Sequence, residues 1–189
     1  AGPNGSFLVL HRGNVDSIYP NTREAEVRKA RGEFTDGPFL SPARASEAPV
    51  EPDFIGAGDF DADGHLDVVI SARGGNKLYC MAGDGHGGFR AGRVIDLPGR
   101  VTAMTAGEVN RGEVLANVVV GIENVAQTDG LRNDAGSQSQ TNGLRYSILV
   151  FEGSHGALKH EPERVPLPAA ATSLALGQLS DSYETDLVA

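Results

Sequence analysis

Residues 58–70 read Gly-Asp-Phe-Asp-Ala-Asp-Gly-His-Leu-Asp-Val-Val-Ile, an acidic loop followed at once by an apolar run. Four carboxylates crowd this loop: Asp59, Asp61, Asp63 and Asp67. Two like charges about 4 Å apart repel by roughly 4 kcal/mol at an effective dielectric of ~20, so the loop is hard to fold without a cation. A hard dication turns this repulsion into attraction, and Ca²⁺ accepts roughly six to eight oxygen ligands in flexible geometry. The stretch therefore predicts one Ca²⁺ site.

The ligand pattern is not that of an EF-hand, which needs a bidentate Glu at its twelfth position. With Asp59 as the first position, the twelfth is Ile70. The expected ligands are oxygens of five residues, namely the carboxylates of Asp59, Asp61, Asp63 and Asp67 and the backbone carbonyl of His65. The alternative interpretation of the same stretch is a solvated acidic turn.

Composition narrows the class of protein. The chain has 189 residues, 40% of them hydrophobic, and a formal net charge of -9, which argues against nucleic-acid binding. The single cysteine, Cys80, cannot form an internal disulfide, and we expect a small buried hydrophobe there. No apolar run reaches the roughly 18 residues of a membrane span, so we expect no transmembrane segment.

Internal repeats decide the fold. Three sets of segments match one another: a strand-like segment ending in glycine and a small polar residue, an apolar segment before the acidic loop, and an apolar segment after it. The first set comprises residues 8–14, 78–84 and 148–154. The second set, before the loop, comprises residues 54–58, 103–107 and 174–177. The third set, after the loop, comprises residues 67–70, 117–120 and 186–189. The equivalent glycines Gly58 and Gly107 lie 49 residues apart. Four short strands, A to D, in a unit of this length are typical of a β-propeller blade.

The acidic loop degenerates along the repeats. The second copy, residues 107–117, contains Arg111 and has Asn117 in place of the closing aspartate. The third copy has Gln178 and two serines in place of the first three aspartates and keeps only Asp186. We therefore expect one occupied site, and degenerate loops that keep their shape through turn hydrogen bonds.

These residues carry a family resemblance. Residues 58–67 followed by Val68 and Val69 resemble the calcium loop of the FG-GAP (VCBS-type) repeat, found in integrin α-subunit propellers and many bacterial extracellular proteins. The turn at residues 83–89 resembles the second hallmark of that repeat. The resemblance implies a calcium-stabilised propeller used mainly for adhesion or ligand display.

The expected fold is all-β, a β-propeller of four-stranded blades with about three blade equivalents. The predicted parts are residues 1–52, the end of a first blade with an insertion at 15–36; 53–99, the calcium-bearing blade; 100–169, a blade with an insertion at 122–143; and 170–189, the start of a further blade. Residues 22–31 favour a short exposed helix. Closed propellers have about 4–8 blades, so we expect part of a larger closed propeller, or closure by association with other chains.

Connections A–B and C–D of each blade share one face of a propeller, and connections B–C and D–A share the other. The 15–36 insertion is therefore expected on the face of the acidic loop, and the 122–143 insertion on the opposite face. In integrin-like propellers this opposite face binds ligands, so the resemblance implies a partner near residues 127–140. The polar composition of that stretch favours a flexible hairpin tip or disordered loop over a recognition loop.

Gly83 to Gly88 match the pattern G-x-G-x-x-G, but a strand-like run follows them, which favours a hairpin turn over a dinucleotide site. No catalytic constellation stands out among the remaining residues, so an enzyme is less favoured than a non-catalytic scaffold. We expect an extracellular, cell-surface or periplasmic adhesion scaffold that binds a protein or carbohydrate. The alternatives are the propeller of a polysaccharide lyase or hydrolase, and an architectural subunit that contacts neighbouring subunits of a cell-surface assembly.

Overall fold

A computed structural model describes residues 5–90, 92–109, 115–124, 145–181 and 184–189. It begins with two antiparallel strands, β1 (Ser6–Leu10) and β2 (Arg44–Ala48). The connection between them contains two short helices, α1 (Val15–Ile18) and α2 (Arg23–Ala30). The hydroxyl of Thr22 accepts a hydrogen bond from the backbone N–H of Ala25 at 3.2 Å and caps α2. The helix predicted over residues 22–31 is therefore present in the structure.

The second sheet follows the predicted A-to-D order. Its strands are β3 (Phe54–Gly58), β4 (Asp67–Ser71), β5 (Lys77–Gly83), β6 (Phe89–Arg90) and β7 (Val94–Asp96). Strands β3, β4 and β5 pair antiparallel in sequence order. Strands β6 and β7 both pair with β5, at opposite ends of it, so the predicted strand D is split into two pieces.

The third sheet has four strands in the order β8–β9–β10–β11. These are β8 (Gly99–Gly107), β9 (Asn117–Asn124), β10 (Tyr146–Phe151) and β11 (Glu163–Leu167), with a 3-10 helix (Ala157–Lys159) between the last two. Residues 122–124 of the predicted 122–143 insertion belong to β9, because Ile122 continues the ladder opposite Ser147 and is buried. The rest of that insertion, including the expected partner site at 127–140, lies outside the described residues. A last antiparallel pair follows, β12 (Ala175–Gly177) and β13 (Asp186–Val188).

Hydrophobic clusters lie between successive sheets, because strands of the middle sheets are buried on both faces. In β4, Val69 belongs to a cluster that includes Val118 and Val120 of the third sheet, whereas Ile70 belongs to a cluster that includes Leu8 of the first sheet. A separate cluster joins β9 and β10 to Ala171 and Leu174, which precede β12. Such continuous apolar runs are expected where a sheet is covered on both sides.

The first strands of neighbouring sheets also approach closely. A Cβ added at Gly56 in β3 would lie 2.5 Å from the Cβ of Ala106 in β8. The chain is thus an all-β protein of antiparallel sheets, stacked in a manner compatible with part of a β-propeller. Within the described residues, no helix has the length and apolar character needed to cross a membrane.

Candidate metal centre

The acidic loop connects β3 to β4 and is anchored by the carboxylate that closes it. Asp67, the first residue of β4, is 1% exposed. Its Oδ2 accepts a hydrogen bond from the backbone N–H of Phe60 at 3.0 Å, and its Oδ1 accepts one from the N–H of Gly83 at 2.9 Å. One buried carboxylate therefore fixes both ends of the loop and joins it to the end of β5.

Tight turns shape the rest of the loop. The carboxylate of Asp59 accepts hydrogen bonds from the N–H groups of Ala62 at 2.7 Å and Gly64 at 3.0 Å. Gly64 has a φ of 85° and Ala62 a φ of 63°, a backbone region that glycine enters without the steric cost of a side chain. Aspartate and glycine residues in the loop therefore stabilise its turns, in addition to any role that the aspartates have in binding a cation.

Three carboxylates converge inside these turns. One oxygen each from Asp59, Asp61 and Asp67 lies within 4.8 Å of the others. Asp63 is not in this group: its Oδ1 accepts a hydrogen bond from the N–H of His65 at 2.8 Å, and its Oδ2 lies 3.6 Å from the guanidinium of Arg90. The structure therefore brings together three of the five predicted ligands, and the role of all five residues as ligands stays a prediction.

Electrostatics of the cluster favour a cation. Burial raises the pKa of Asp67 above its ordinary value, and the negative charges of Asp61 and Asp63 raise it further. The two backbone hydrogen bonds from Gly83 and Phe60 oppose this shift. The donor set consists of hard carboxylate oxygens, which suit Ca²⁺ better than a softer transition metal.

Two basic side chains beside the loop were missed by the sequence reasoning. Arg90 follows the turn after β5, and Lys159 belongs to the third sheet's unit, where its Nζ donates to the backbone carbonyl of Asp61 at 2.6 Å. The predicted order of strands A to D contained a signal for Lys159. This residue lies in the C–D connection between β10 and β11, and C–D connections are expected on the same face as the A–B loops. The residue pairing itself depends on how neighbouring units stack.

The degenerate loops repeat the anchoring hydrogen bond. Asn117 Oδ1 accepts from the N–H of Val109 at 3.3 Å, and Asp186 Oδ2 accepts from the N–H of Leu179 at 2.7 Å. Phe60, Val109 and Leu179 each lie two residues after the glycine that ends the preceding strand. The closing residue therefore accepts an equivalent backbone hydrogen bond in all three loops, although aspartates at the positions of Asp59, Asp61 and Asp63 occur only in the first loop.

The remaining motifs are structural. Gly83 and Phe89 pair across the G-x-G-x-x-G segment, and Asp84 accepts hydrogen bonds from the N–H groups of His86 and Gly88, so the segment is a hairpin turn.

Cys80 is buried between the second and third sheets, where burial raises the pKa of its thiol to about 12.

Comparison with known families agrees with this geometry. Residues 59–111 match the model of the FG-GAP-like repeat, a stretch that starts in the acidic loop and ends in its second copy. This part of the chain is therefore similar to an FG-GAP-like repeat. Searches of curated proteins and of solved structures gave no match to the chain.

Proposed function

We propose that this chain is part of a Ca²⁺-stabilised, non-catalytic β-propeller scaffold that binds a protein or carbohydrate outside the cytoplasm. The observation that carries the proposal is the convergence of three carboxylates, one of them buried, inside an FG-GAP-like repeat. Extracellular modules bind Ca²⁺ with dissociation constants of roughly 10⁻⁴–10⁻³ M, which suits an extracellular, cell-surface or periplasmic location.

In this proposal the ion is held by the carboxylates of Asp59, Asp61, Asp63 and Asp67 and by the carbonyl of His65. Its role is structural: the ion neutralises the crowded carboxylates and thereby stabilises the connection between β3 and β4. Because Asp67 also binds the N–H of Gly83, the same ion stabilises the packing of the loop on the end of β5.

The metal part is tested by calorimetric titration of the chelator-treated protein with Ca²⁺, and by its melting temperature with and without excess Ca²⁺. We expect one site per chain and a higher melting temperature with Ca²⁺. The variant Asp61→Asn should lose both responses, whereas Asp36→Asn, which makes the same charge change at an exposed position in the 15–36 insertion, should keep them. A wild-type protein with no Ca²⁺ response, or a full response in Asp61→Asn, contradicts the proposed site.

The scaffold part is tested by presenting the Ca²⁺-loaded protein to a glycan array and to acidic polysaccharides under turnover conditions. We expect binding without change of the polysaccharide, because rigid sheets with exposed connections are suited to ligand display. Release of new reducing or unsaturated ends by the purified protein contradicts a non-catalytic role and supports a polysaccharide-active enzyme.

A further inference from the structure

The acidic loop is covered by a turn from the next repeat unit. Gly156, which precedes the 3-10 helix, has a φ of 115° and packs so closely that a Cβ there would lie 2.7 Å from the carbonyl oxygen of Phe60 and 2.9 Å from the Cα of Asp61. Any side chain at this position would collide with the backbone of the loop. The turn and the loop thus form one packed unit, although 98 residues separate Lys159 from Asp61.

The 3-10 helix is itself firmly positioned. Ala157 and Leu158 are buried in the cluster between the second and third sheets. Arg93, from the unit that contains the acidic loop, donates to the carbonyl of Leu158 at 2.6 Å. In the opposite direction, Lys159 donates to the carbonyl of Asp61. These two crossed hydrogen bonds hold the ammonium of Lys159 against the backbone of Asp61, whose carboxylate belongs to the three-oxygen group.

We propose that Lys159 is a built-in counter-ion of the acidic loop, which stabilises the loop at low Ca²⁺ and weakens Ca²⁺ binding. This inference rests on the proposed Ca²⁺ site. The ammonium binds a carbonyl of the residue whose carboxylate belongs to the three-oxygen group, so it lies within a Debye length, about 10 Å at 0.1 M salt, of any cation held there. It offsets part of the carboxylate repulsion when no dication is present and repels the dication when one binds.

The test is the variant Lys159→Met, which keeps most of the apolar stem and removes the charge. In calorimetric titrations at low salt we expect Ca²⁺ to bind about three- to tenfold more tightly than to wild type. Without Ca²⁺ the variant should melt at a lower temperature than wild type, and excess Ca²⁺ should narrow that difference. Raising the ionic strength should reduce the gain in affinity, because the repulsion acts through solvent.

Two controls separate charge from structure. Lys77→Met makes the same charge change at the start of β5, where Lys77 pairs with Asp96, and should leave Ca²⁺ affinity at the wild-type value. Lys159→Arg keeps the charge and should also bind Ca²⁺ as wild type does. If Lys159→Met is poorly folded, Lys159→Gln, which loses the charge but keeps a hydrogen-bond donor, is measured in its place.

The outcomes are distinguishable from failure of the metal site itself. A wild-type protein that does not bind Ca²⁺ contradicts the proposed function. A wild-type protein that binds Ca²⁺, together with a charge-removing variant at position 159 that binds it equally or more weakly, overturns the counter-ion role alone.

Discussion

The backbone N–H of Gly83 donates to Oδ1 of Asp67 at 2.9 Å, which joins the end of β5 to the loop between β3 and β4. The other oxygen of the same carboxylate accepts from Phe60, so Asp67 satisfies two backbone donors from a position that is 1% exposed. Each of the two donors meets a different oxygen, so both oxygens of the carboxylate are used. These two hydrogen bonds involve no cation, so we expect Asp67 to stabilise the loop whether or not a cation is bound.

Replacing Asp67 with asparagine should therefore destabilise the protein with or without Ca²⁺. An amide has one acceptor oxygen, so one buried N–H loses its partner, at a cost of about 1–3 kcal/mol. Urea denaturation in chelator and in excess Ca²⁺ measures the change in the free energy of unfolding. Asp96→Asn removes a carboxylate that is 77% exposed and should have a much smaller effect. Equal stability of Asp67→Asn and wild type in chelator would show that the two hydrogen bonds are dispensable.

The degenerate loops should not contribute to metal binding. In the third loop the carboxylate of Asp186 accepts hydrogen bonds from the backbone N–H groups of Ser180 and Leu179, which lower its pKa. These hydrogen bonds stabilise the charged carboxylate, so it needs no bound cation. We expect Asp186→Asn to leave the stoichiometry and affinity for Ca²⁺ unchanged in calorimetric titrations, in contrast to Asp61→Asn. A lower stoichiometry in Asp186→Asn would place a second site in the third loop and contradict the prediction of a single site.

Equivalent glycines in β3 and β12 should differ in their tolerance of a side chain. A Cβ at Gly58 would lie 2.2 Å from the Cβ of Ala116, whereas a Cβ at Gly177 meets no atom within 4 Å. Gly58→Ala should thus cost about 1–3 kcal/mol through overpacking between sheets. Gly177→Ala is the matched control and should be close to neutral. Similar midpoints of urea denaturation for both variants would contradict the packing of β3 against the third sheet.

The insertion between β1 and β2 contains an ion pair that makes stability depend on pH. Asp16 is buried, and its carboxylate pairs with the guanidinium of Arg28 from α2, whose Nε donates to Oδ2 at 2.6 Å. The hydrogen bond from Arg28 holds the pKa of Asp16 below its ordinary value of 3.8. A lowered pKa in the folded state means that the pair stabilises the protein above the ordinary pKa and that this contribution disappears as pH falls through the folded value.

Asp16→Asn should therefore be less stable than wild type near neutral pH, and the difference should shrink below about pH 4. Thermal melts across this range, with limited proteolysis between β1 and β2, measure the effect. Glu26→Gln is the control, because Glu26 forms an exposed pair with Lys29, and exposed pairs contribute little. A difference between Asp16→Asn and wild type that stays constant down to pH 3 would contradict the ion-pair explanation.

The repeats made most of the fold predictable. Glycines before each loop, Asp67 and its equivalents after each loop, and the apolar runs of β4 and β9 predicted the strand order, and the short helix at 22–31 was also predicted correctly. The split of strand D into β6 and β7 was not, because short exposed segments carry a weak periodic signal. The position of Asp63 beside Arg90, and of Lys159 beside Asp61, depends on contacts between turns and between neighbouring units. Sequence spacing within one unit contains no information about such contacts.

Cys80 offers a direct test of how the second and third sheets pack. Its side chain lies in the cluster with Val69 and Phe151. The pKa of its thiol is raised to about 12, mainly by burial. At pH 8 the thiol is therefore protonated as well as inaccessible, and thiolate is the reactive species. We expect a disulfide reagent to modify the native protein very slowly, and to react at once with one thiol per chain in denaturing urea. Because Cys80 is the chain's single cysteine, the signal needs no assignment. Rapid modification of the native protein at pH 8 would mean that the two sheets separate readily, and the packing of β5 against the third sheet would have to be abandoned.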